Sequence, residues 1–305
     1  MKAFVTGVAG QLGHDVMNEL DKRGYQGVGS DIAPGYSGVQ DGTAVTKMPY
    51  VSLDITDSAA VEKVIKEAAP DVVVHCAAWT AVDMAEEDEK VELVRRVNAG
   101  GTENIAQVCK ELDIPMVYLS TDYVFDGQGE EPWQPDCRDY KPLNVYGQTK
   151  LEGELAVSNN LDKYFIVRIA WVFGVNGKNF IKTMLNLGKK YKEIRVVNDQ
   201  IGTPTYTYDL ASLLVDMIET DKYGYYHATN EGGYISWYEF AREIFKQAGY
   251  TETKVIPVTT KEYGLSKAAR PFNSRLDKSK LTENGFKLLP TWQDALQRYL
   301  KEIEY

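Results

Sequence analysis

The feature that most constrains the fold is a regular alternation of short β-type runs with helical patterns in the first half of the chain. The β-type runs are KAFVT (2–6), YQGVGSD (25–31), YVSLD (50–54), DVVVHCA (71–77) and PMVYLST (115–121), and helical patterns at 11–23, 61–68 and 86–112 separate them. Strands joined through helices pair in parallel with right-handed crossovers. Near-continuous apolar strands are covered by helices on both faces of a sheet. The sequence therefore predicts an α/β fold with a doubly wound, Rossmann-like parallel sheet.

The second half of the chain begins with the same alternation of strands and helices and then changes to shorter β-type runs between helices. A helix near 145–158, the strand YFIVRIAW and a helix over 179–190 continue the alternation. After them come the short runs IRVVND, YYHAT and TKVIPVT, with helices at 208–219, 237–247 and 292–302. We expect a Rossmann-like domain over residues 1–170 and, over residues 171–305, a smaller C-terminal substrate-binding lobe whose segments can return to the sheet. The sequence assigns no role to the loop 33–49, which is rich in glycine and small polar residues.

Composition excludes several classes of function. The net charge of −10 and the pI near 5.0 disfavour a nucleic-acid partner, which normally requires a basic face. No apolar run reaches the roughly 18–20 residues of a membrane span, and the N-terminus enters a strand without a charged leader. Cys76, Cys109 and Cys137 lack the spacing of a metal or redox motif. We expect free thiols and a cytoplasmic location.

Glycines follow the first strand at a spacing that suits a dinucleotide. Gly7, Gly10 and Gly13 form G-x-x-G-x-x-G between that strand and its helix, with Gln11 and Leu12 at the helix start. Glycine lets the backbone turn tightly and lets a pyrophosphate approach the helix N-terminus. An ordinary glycine-rich turn is the alternative. The position of the loop directly after an N-terminal strand favours a cofactor loop.

Two acidic positions follow the next strands. Asp31 ends the second strand, where a carboxylate accepts hydrogen bonds from the adenosine ribose and repels a 2′-phosphate. No Arg or Lys follows closely, so the sequence favours NADH, while NADPH stays an alternative. Asp54 and Ile55 follow the third strand. They suit the edge and face of an adenine, although Asp54 as a helix cap explains the same residue equally well.

Tyr146 and Lys150 lie four residues apart in YGQTK, on one face of a helix. A phenol has a pKa of about 10, and we expect the ammonium of Lys150 to lower the pKa of Tyr146. Such a tyrosine delivers a proton to a carbonyl oxygen as hydride arrives at carbon. Tyr-x-x-x-Lys alone is weak evidence for catalysis. Its position downstream of a nucleotide-binding fingerprint makes it strong evidence.

A third polar group is expected at the end of a strand between these motifs. Ser120 and Thr121 end the fifth strand, where α/β sheets bind their ligands. A hydroxyl there can donate to the substrate carbonyl and orient Tyr146. The alternative is that both hydroxyls only terminate the strand.

These motifs together resemble the dTDP-4-dehydrorhamnose reductase family, within the extended short-chain dehydrogenases. The segments that carry the likeness are GVAGQLG, HCAAWTAVDMAE, NAGGTENIA, STDYVFDG, PLNVYGQTKLEGE, RIAWVFG, VNDQIGTPTYTYDLA and RPFNSRL. They run in order over nearly the whole chain. The last three are not general to short-chain dehydrogenases, which makes the resemblance specific.

The resemblance implies reduction of dTDP-4-dehydro-β-L-rhamnose to dTDP-β-L-rhamnose, the last step in making that activated sugar for cell-surface polysaccharide. It implies the catalytic triad Thr121, Tyr146 and Lys150, the last two also touching the cofactor. It places Ala77, Ala78 and Asn98 beside the cofactor. Substrate contacts implied are Thr121, Asp122, Trp171, Asn179, Gln200, Arg270 and Asn273.

The chain departs from the family pattern in the loop 33–49, which is longer than usual. Family members can form homodimers through a magnesium ion held by carboxylates, but the sequence does not identify such ligands here. His14, His75 and His227 have no paired ligand spacing, so we expect no histidine metal site.

Rival functions on this scaffold are a 4,6-dehydratase, a related nucleotide-sugar 4-ketoreductase or epimerase acting on another deoxysugar, and a non-catalytic subunit like the regulatory subunit of methionine adenosyltransferase. A dehydratase carries Asp-Glu after the strand-end threonine, whereas this chain has Asp122 followed by Tyr123. An epimerase uses the same triad, so only the family-specific segments favour net reduction. A non-catalytic subunit is disfavoured because the tyrosine and the lysine are both present.

Overall fold

The computed structural model describes residues 1–36 and 46–304. The strands are β1 (Lys2–Thr6), β2 (Gln26–Asp31), β3 (Tyr50–Ser52), β4 (Val72–His75), β5 (Met116–Thr121), β6 (Tyr164–Ile169), β7 (Val172–Phe173), β8 (Glu193–Val197), β9 (Ile201–Gly202), β10 (Thr205–Tyr206), β11 (Gly224–His227), β12 (Asn230–Glu231), β13 (Ile235–Ser236), β14 (Lys254–Val258) and β15 (Leu289–Thr291). The helices are α1 (Gln11–Lys22), α2 (Ser58–Ala68), α3 (Asp88–Arg95), α4 (Gly101–Leu112), α5 (Val145–Asn160), α6 (Phe180–Gly188), α7 (Thr207–Ile218), α8 (Trp237–Gln247), α9 (Thr260–Tyr263), α10 (Ser279–Glu283) and α11 (Trp292–Glu302).

Seven strands form a parallel sheet in the order β11-β6-β5-β4-β1-β2-β3. The chain winds outward from β1 in one direction and from β4 in the other, so the strand order reverses between these two neighbours. In doubly wound sheets a crevice forms at this switch, beyond the carboxyl ends of the strands. The predicted Rossmann-like α/β fold is confirmed.

Helices cover both faces of this sheet. Val73 and Val74 of β4 belong to different apolar clusters because successive side chains of a strand point to opposite faces. On one face, α1 packs against α7; on the other, α2 and α5 pack against α4. Burial on both faces explains why β4 reads as a continuous apolar run.

The helix expected over 86–112 is present as an uninterrupted helical run from Asp88 to Leu112, but its winding is not uniform. A 3₁₀ turn at Met84–Glu86 precedes α3, and a π-helical turn at Arg96–Gly100 separates α3 from α4. At the start of α4, a Cβ on Gly101 would lie 2.6 Å from the Ile55 side chain. The Ile55 side chain thus packs closely against the helix at a glycine, next to the π-helical turn.

The C-terminal half contributes both to the sheet and to a separate apolar core. β11 extends the sheet beside β6, and α7 lies against α1. A second core, with Phe173, Phe240 and Trp292 among its members, joins α6, α8 and α11. The boundary near residue 170 stays a prediction. Within the loop 33–49, residues 37–45 lie outside the described residues.

The cysteines are free thiols. Cys109 is buried, and Cys76 and Cys137 are half-buried. Burial raises the pKa of Cys76 and of Cys109 to about 12, so both are protonated and weakly nucleophilic at neutral pH. As a separate finding, no helix among the described residues is long and apolar enough to cross a membrane.

A buried ion pair fixes α5 to the sheet. Glu154 of α5 accepts two hydrogen bonds from Arg168 of β6, each 2.8 Å long, and neither side chain is exposed. Arg168 also donates to the carbonyl of Pro135 and to the hydroxyl of Tyr140. Such bidentate, charge-assisted geometry holds both elements in one register.

We expect Glu154→Gln to destabilise the fold by about 3–5 kcal/mol, because it leaves the buried Arg168 charge uncompensated. Glu152 on the same helix pairs with Arg95 in a partly exposed ion pair, so Glu152→Gln should cost less than about 1 kcal/mol. Urea unfolding of both variants measures the difference. Equal midpoints for the two variants would refute the anchoring role of the buried pair.

Candidate functional site

A cavity of about 850 Å³ opens at the carboxyl ends of the central strands. It is lined by the glycine loop after β1, by the ends of β2, β4 and β5, by α5 and by Trp171 and Trp237. The hydroxyls of Ser30 and Ser120 are buried in its wall and have no hydrogen-bond partner among the described residues. Buried polar atoms without partners in a cavity wall indicate a bound polar molecule.

The glycine loop fits closely against the end of β4. Gly7 has φ +72°, and a Cβ there would lie 2.6 Å from the backbone nitrogen of Ala77. A Cβ on Gly13 would collide with the carbonyl oxygen of Gly7. No side chain caps α1 at Gly10, so the helix N-terminus presents backbone N–H groups where a phosphate can approach. This cradle fits the pyrophosphate of a dinucleotide.

Gln11 and Asn179 connect this loop to the C-terminal half. The Gln11 side-chain oxygen lies 2.9 Å from the N–H of Gly174 and 3.1 Å from the Asn179 amide, and both donate to it. Asn179 also caps α6 and donates to the hydroxyl of Tyr299. Gln11 and Leu12 line the cavity, whereas Asn179 does not.

Asp31, Asp54 and Ile55 line one end of the cavity. The carboxylate of Asp31 accepts the N–H of Ala9 at 2.9 Å and that of Ile32 at 2.8 Å. Asp54 accepts hydrogen bonds from the N–H and the hydroxyl of Thr56. The capping interpretation of Asp54 is wrong, because the N-cap of α2 is Asp57.

Ala77 and Ala78 form cavity wall, and Asn98 supports that wall from behind. Asn98 is buried, and its side chain bonds both backbone groups of Trp79, accepting at 2.8 Å and donating at 3.2 Å. It also donates to Thr149 on α5. Asn98 therefore fixes the segment after β4 against α5 without facing the cavity.

Thr121, Tyr146 and Lys150 line the cavity together. Thr121 ends β5, and α5 begins beside it with Asn144 as N-cap, which accepts the N–H of Gly147 at 2.8 Å. The Lys150 ammonium lies 4.1 Å from the centre of the Tyr118 ring. The strand-end hydroxyl and the tyrosine–lysine pair thus meet as expected.

The pKa of Tyr146 departs from expectation. It is raised, first by burial and then by the negative charge of Asp122, and a hydrogen bond with Thr121 lowers it by less. Burial lowers the pKa of Lys150 to about 7, because desolvation disfavours its ammonium. The expected lowering of the Tyr146 pKa is wrong for this structure. The phenol is instead held in its protonated, proton-donating form.

Asp122 lies between Thr121 and Ser274, a residue that the sequence did not predict as part of the site. The Thr121 hydroxyl donates to one carboxyl oxygen at 3.0 Å, and Ser274 bonds the other. Burial raises the pKa of Asp122 to about 6. Ser274 belongs to RPFNSRL, where the resemblance had drawn attention to Arg270 and Asn273.

Trp171 is stacked on Trp237, with ring centres 3.7 Å apart and planes inclined by 15°. Both rings line the cavity. Trp171 has φ +52°, which is rare for a bulky residue and occurs mainly where surrounding contacts impose it. Trp237 was not predicted as a site residue. Its place as the first residue of an amphipathic helix gave no signal of it.

Gln200, Arg270 and Asn273 do not line the cavity. Gln200 donates to Thr260 at 3.0 Å, and the Asn273 amide donates to backbone carbonyls at 2.8 and 3.2 Å. Arg270 donates to Tyr123 at 3.2 Å and pairs with Asp83 at 2.7 Å. These three residues, like Asn179, contact protein groups here, and their contact with a nucleotide stays a prediction from the resemblance.

In the described part of the chain, no group of three or more His, Cys, Asp or Glu side chains could hold a metal ion. His75 is buried between the hydroxyls of Thr6 and Thr102. Burial lowers its pKa to about 3, so the ring is neutral.

Comparison with known proteins gives a consistent picture. Residues 1–305 match the family model described as RmlD substrate binding domain. The dTDP-4-dehydrorhamnose reductase of Streptomyces griseus is 39% identical over 299 residues, 96% of this chain and 91% of the relative. The dTDP-4-keto-6-deoxy-D-glucose reductase of Streptomyces niveus is 36% identical over 294 residues, 96% and 94% of the two chains.

Among solved structures, dTDP-4-dehydrorhamnose reductase of Bacillus anthracis str. Ames in complex with NADP is 38% identical. It superposes with a TM-score of 0.86 over 99% of both chains. The family model and these relatives span essentially the whole chain, so the likeness covers the cofactor loop, the triad and the C-terminal half. The chain belongs to the dTDP-4-dehydrorhamnose reductase family.

Proposed function

We propose that the chain reduces the 4-keto group of dTDP-4-dehydro-β-L-rhamnose to give dTDP-β-L-rhamnose. It is a nicotinamide-dependent oxidoreductase, as its family implies. The observation that carries the proposal is the meeting of Thr121, Tyr146 and Lys150 in the cavity that the glycine loop also lines. A dinucleotide cradle and a proton donor for a carbonyl oxygen thus share one space.

The chain's own groups act on the carbonyl oxygen. The nicotinamide cofactor, when bound, supplies the hydride. Tyr146 donates the proton, and burial favours the neutral phenol that does so. Thr121 donates a hydrogen bond that stabilises negative charge developing on the oxygen. Lys150 supplies positive charge in its ammonium form, which the nearby Glu154 carboxylate favours.

The remaining site residues take proposed roles around these groups. Gly7, Gly10, Gln11, Leu12 and Gly13 bind the pyrophosphate, and Ala77 and Ala78 form the wall that Asn98 supports. Asp54 and Ile55 contact the adenine. Residues 171–305 form most of the sugar-nucleotide lobe, with Trp171 packed on the deoxysugar. Asn179, Gln200, Arg270 and Asn273 are proposed to lie near its nucleotide part.

Cofactor choice is proposed to rest on Asp31. Its carboxylate would repel a 2′-phosphate, which favours NADH. The Bacillus anthracis relative was solved in complex with NADP, and NADPH is the alternative cofactor for this chain. A homodimer, a magnesium ion at its interface and a cytoplasmic location stay predictions from the sequence and the resemblance.

The experiment that tests the proposal follows oxidation of NADH and of NADPH with dTDP-4-keto-6-deoxyglucose, with and without the 3,5-epimerase that makes the expected substrate. Oxidation that requires the epimerase supports the proposed substrate. Oxidation without it indicates a reductase for the unepimerised sugar. An absence of oxidation in both mixtures would contradict the proposal.

We expect Tyr146→Phe to lower kcat on the order of 10²–10⁴-fold, because the proton donor is lost. Cofactor affinity should be nearly unchanged, since the ring remains in place. Stopped-flow turnover beside a fluorescence titration with NADH measures both. A variant that keeps more than about a third of the wild-type kcat would overturn the assignment of Tyr146.

Replacing Asp31 by Ser and Ile32 by Arg should move kcat/KM toward NADPH. The change removes a negative charge and adds a guanidinium that pairs with phosphate. The ratio of kcat/KM for the two cofactors is the measurement. A wild type that strongly prefers NADPH, or a ratio unmoved by the double change, would count against this role for Asp31.

Trp171→Ala should raise the KM for the sugar nucleotide or lower kcat, while the melting temperature and NADH affinity stay near wild type. An indole packs on the apolar C–H face of a deoxyhexose. Trp171→Phe, which keeps a ring, is the matched control and should be milder. A purely structural tryptophan would instead cost about 3–5 kcal/mol and weaken both ligands together.

A further inference from the structure

A hydrogen-bonded chain leads from the C-terminal segment to the strand-end threonine. Ser274 bonds one carboxyl oxygen of Asp122, and Thr121 donates to the other at 3.0 Å. All three side chains are at least 95% buried, being 3%, 2% and 5% exposed in that order. Asp122 and Thr121 also line the cavity.

The segment that carries Ser274 is fixed independently of Asp122. The N–H of Ser274 donates to the carbonyl of Ile201 at 2.8 Å, and the N–H of Ile201 donates to Phe272 at 2.8 Å. Two residues after Ser274, Leu276 forms a parallel β-bridge with Trp133. Backbone hydrogen bonds of this segment therefore hold Ser274 next to Asp122.

The Thr121 hydroxyl has one hydrogen to donate. Its oxygen accepts the N–H of Tyr123 at 3.2 Å, its hydrogen is directed to Asp122, and the hydroxyl of Tyr146 is a further hydrogen-bond partner. The reaction proposed above needs this hydrogen on the substrate carbonyl oxygen. An ionised Asp122 competes for it strongly, because hydrogen bonds to charged acceptors are about twice as strong as neutral ones.

We propose that Ser274 and Asp122 form a positioning pair that decides whether the Thr121 hydroxyl points to the carboxyl group or into the cavity toward the carbonyl oxygen. The inference rests on the proposed ketone reduction. A protonated Asp122 no longer draws the Thr121 hydrogen and can itself donate to Ser274 or to Thr121. Thr121 is then free to donate to the substrate.

The charges around Asp122 act in the same direction. The ionised carboxylate raises the pKa of Tyr146 on α5 and of Tyr123, which makes Tyr146 a weaker acid. Arg270, paired with Asp83, contacts Tyr123 and opposes that effect. Burial raises the pKa of Asp122 to about 6, while Ser274 and Thr121 lower it. Protonation of Asp122 therefore improves both donors.

The pH dependence of the reaction has a definite sign. Activity that needs protonated Asp122 is full below the pKa of Asp122 and is lost as pH rises through that pKa. We expect kcat/KM for the ketosugar to fall about tenfold per pH unit above that value. Asp122→Asn, which is neutral at every pH, should not show this fall in kcat/KM. Ser274→Ala removes a hydrogen bond that lowers the pKa of Asp122, so the fall in kcat/KM should begin at higher pH.

A matched control is Ser279→Ala, which removes another serine–aspartate bond, to the half-buried Asp277, away from the cavity. Its pH profile should equal that of wild type. Thermal melts and NADH titrations establish that each variant is folded. Infrared difference spectra of wild type minus Asp122→Asn should show the C=O band of a carboxylic acid, which disappears as pH rises. The pH at the midpoint of this loss should be higher in Ser274→Ala.

The proposed pair is refuted if kcat/KM of Asp122→Asn still falls with rising pH, or if neither this fall nor the infrared midpoint moves in Ser274→Ala. It is also refuted if Asp122→Asn is folded yet more than a hundredfold slower than wild type at every pH. If wild type does not turn over the ketosugar, the proposed function fails, and the infrared titration still tests the Ser274–Asp122 bond by itself.

Discussion

Direct packing of the helix α5 on the strand β5 is the constraint on which the site depends. A Cβ on Gly147 would collide with the carbonyl of Tyr123, and one on Gly153 with the hydroxyl of Tyr118. The helix can therefore approach the strand closely only because these positions are glycine. The buried Glu154–Arg168 pair then fixes its register, which brings Tyr146 and Lys150 to the end of β5.

Burial also determines the chemistry at this point. It favours the phenol of Tyr146 and the acid of Asp122, and it lowers the pKa of Lys150, whose ammonium form the Glu154 carboxylate favours. Neutral donors together with the Lys150 ammonium suit a reaction in which negative charge appears on a carbonyl oxygen. Burial, and not ion pairing between Tyr146 and Lys150, is the largest influence on the pKa of Tyr146.

The sequence predicts most of the fold because its signals are local. Strand and helix periods, and a glycine loop between β1 and α1, need only neighbouring residues to be recognised. The π-helical turn between α3 and α4 was missed because the residues around it continue an ordinary helical pattern. Ser274 was missed because it meets Asp122 across 152 residues, and no local pattern shows such a contact. Trp237 has an ordinary helical context, and only the stacking on Trp171 distinguishes it.

The central claim is net reduction at C4 of a dTDP-linked 4-ketosugar by Tyr146 and its neighbours. Transfer of deuterium from 4-deuterated nicotinamide cofactor, followed by NMR of the sugar product, tests it most directly. The account predicts one deuterium at C4 and one cofactor oxidised for each product formed, with neither event in Tyr146→Phe. An isomerised sugar without net cofactor consumption would contradict it and identify an epimerase.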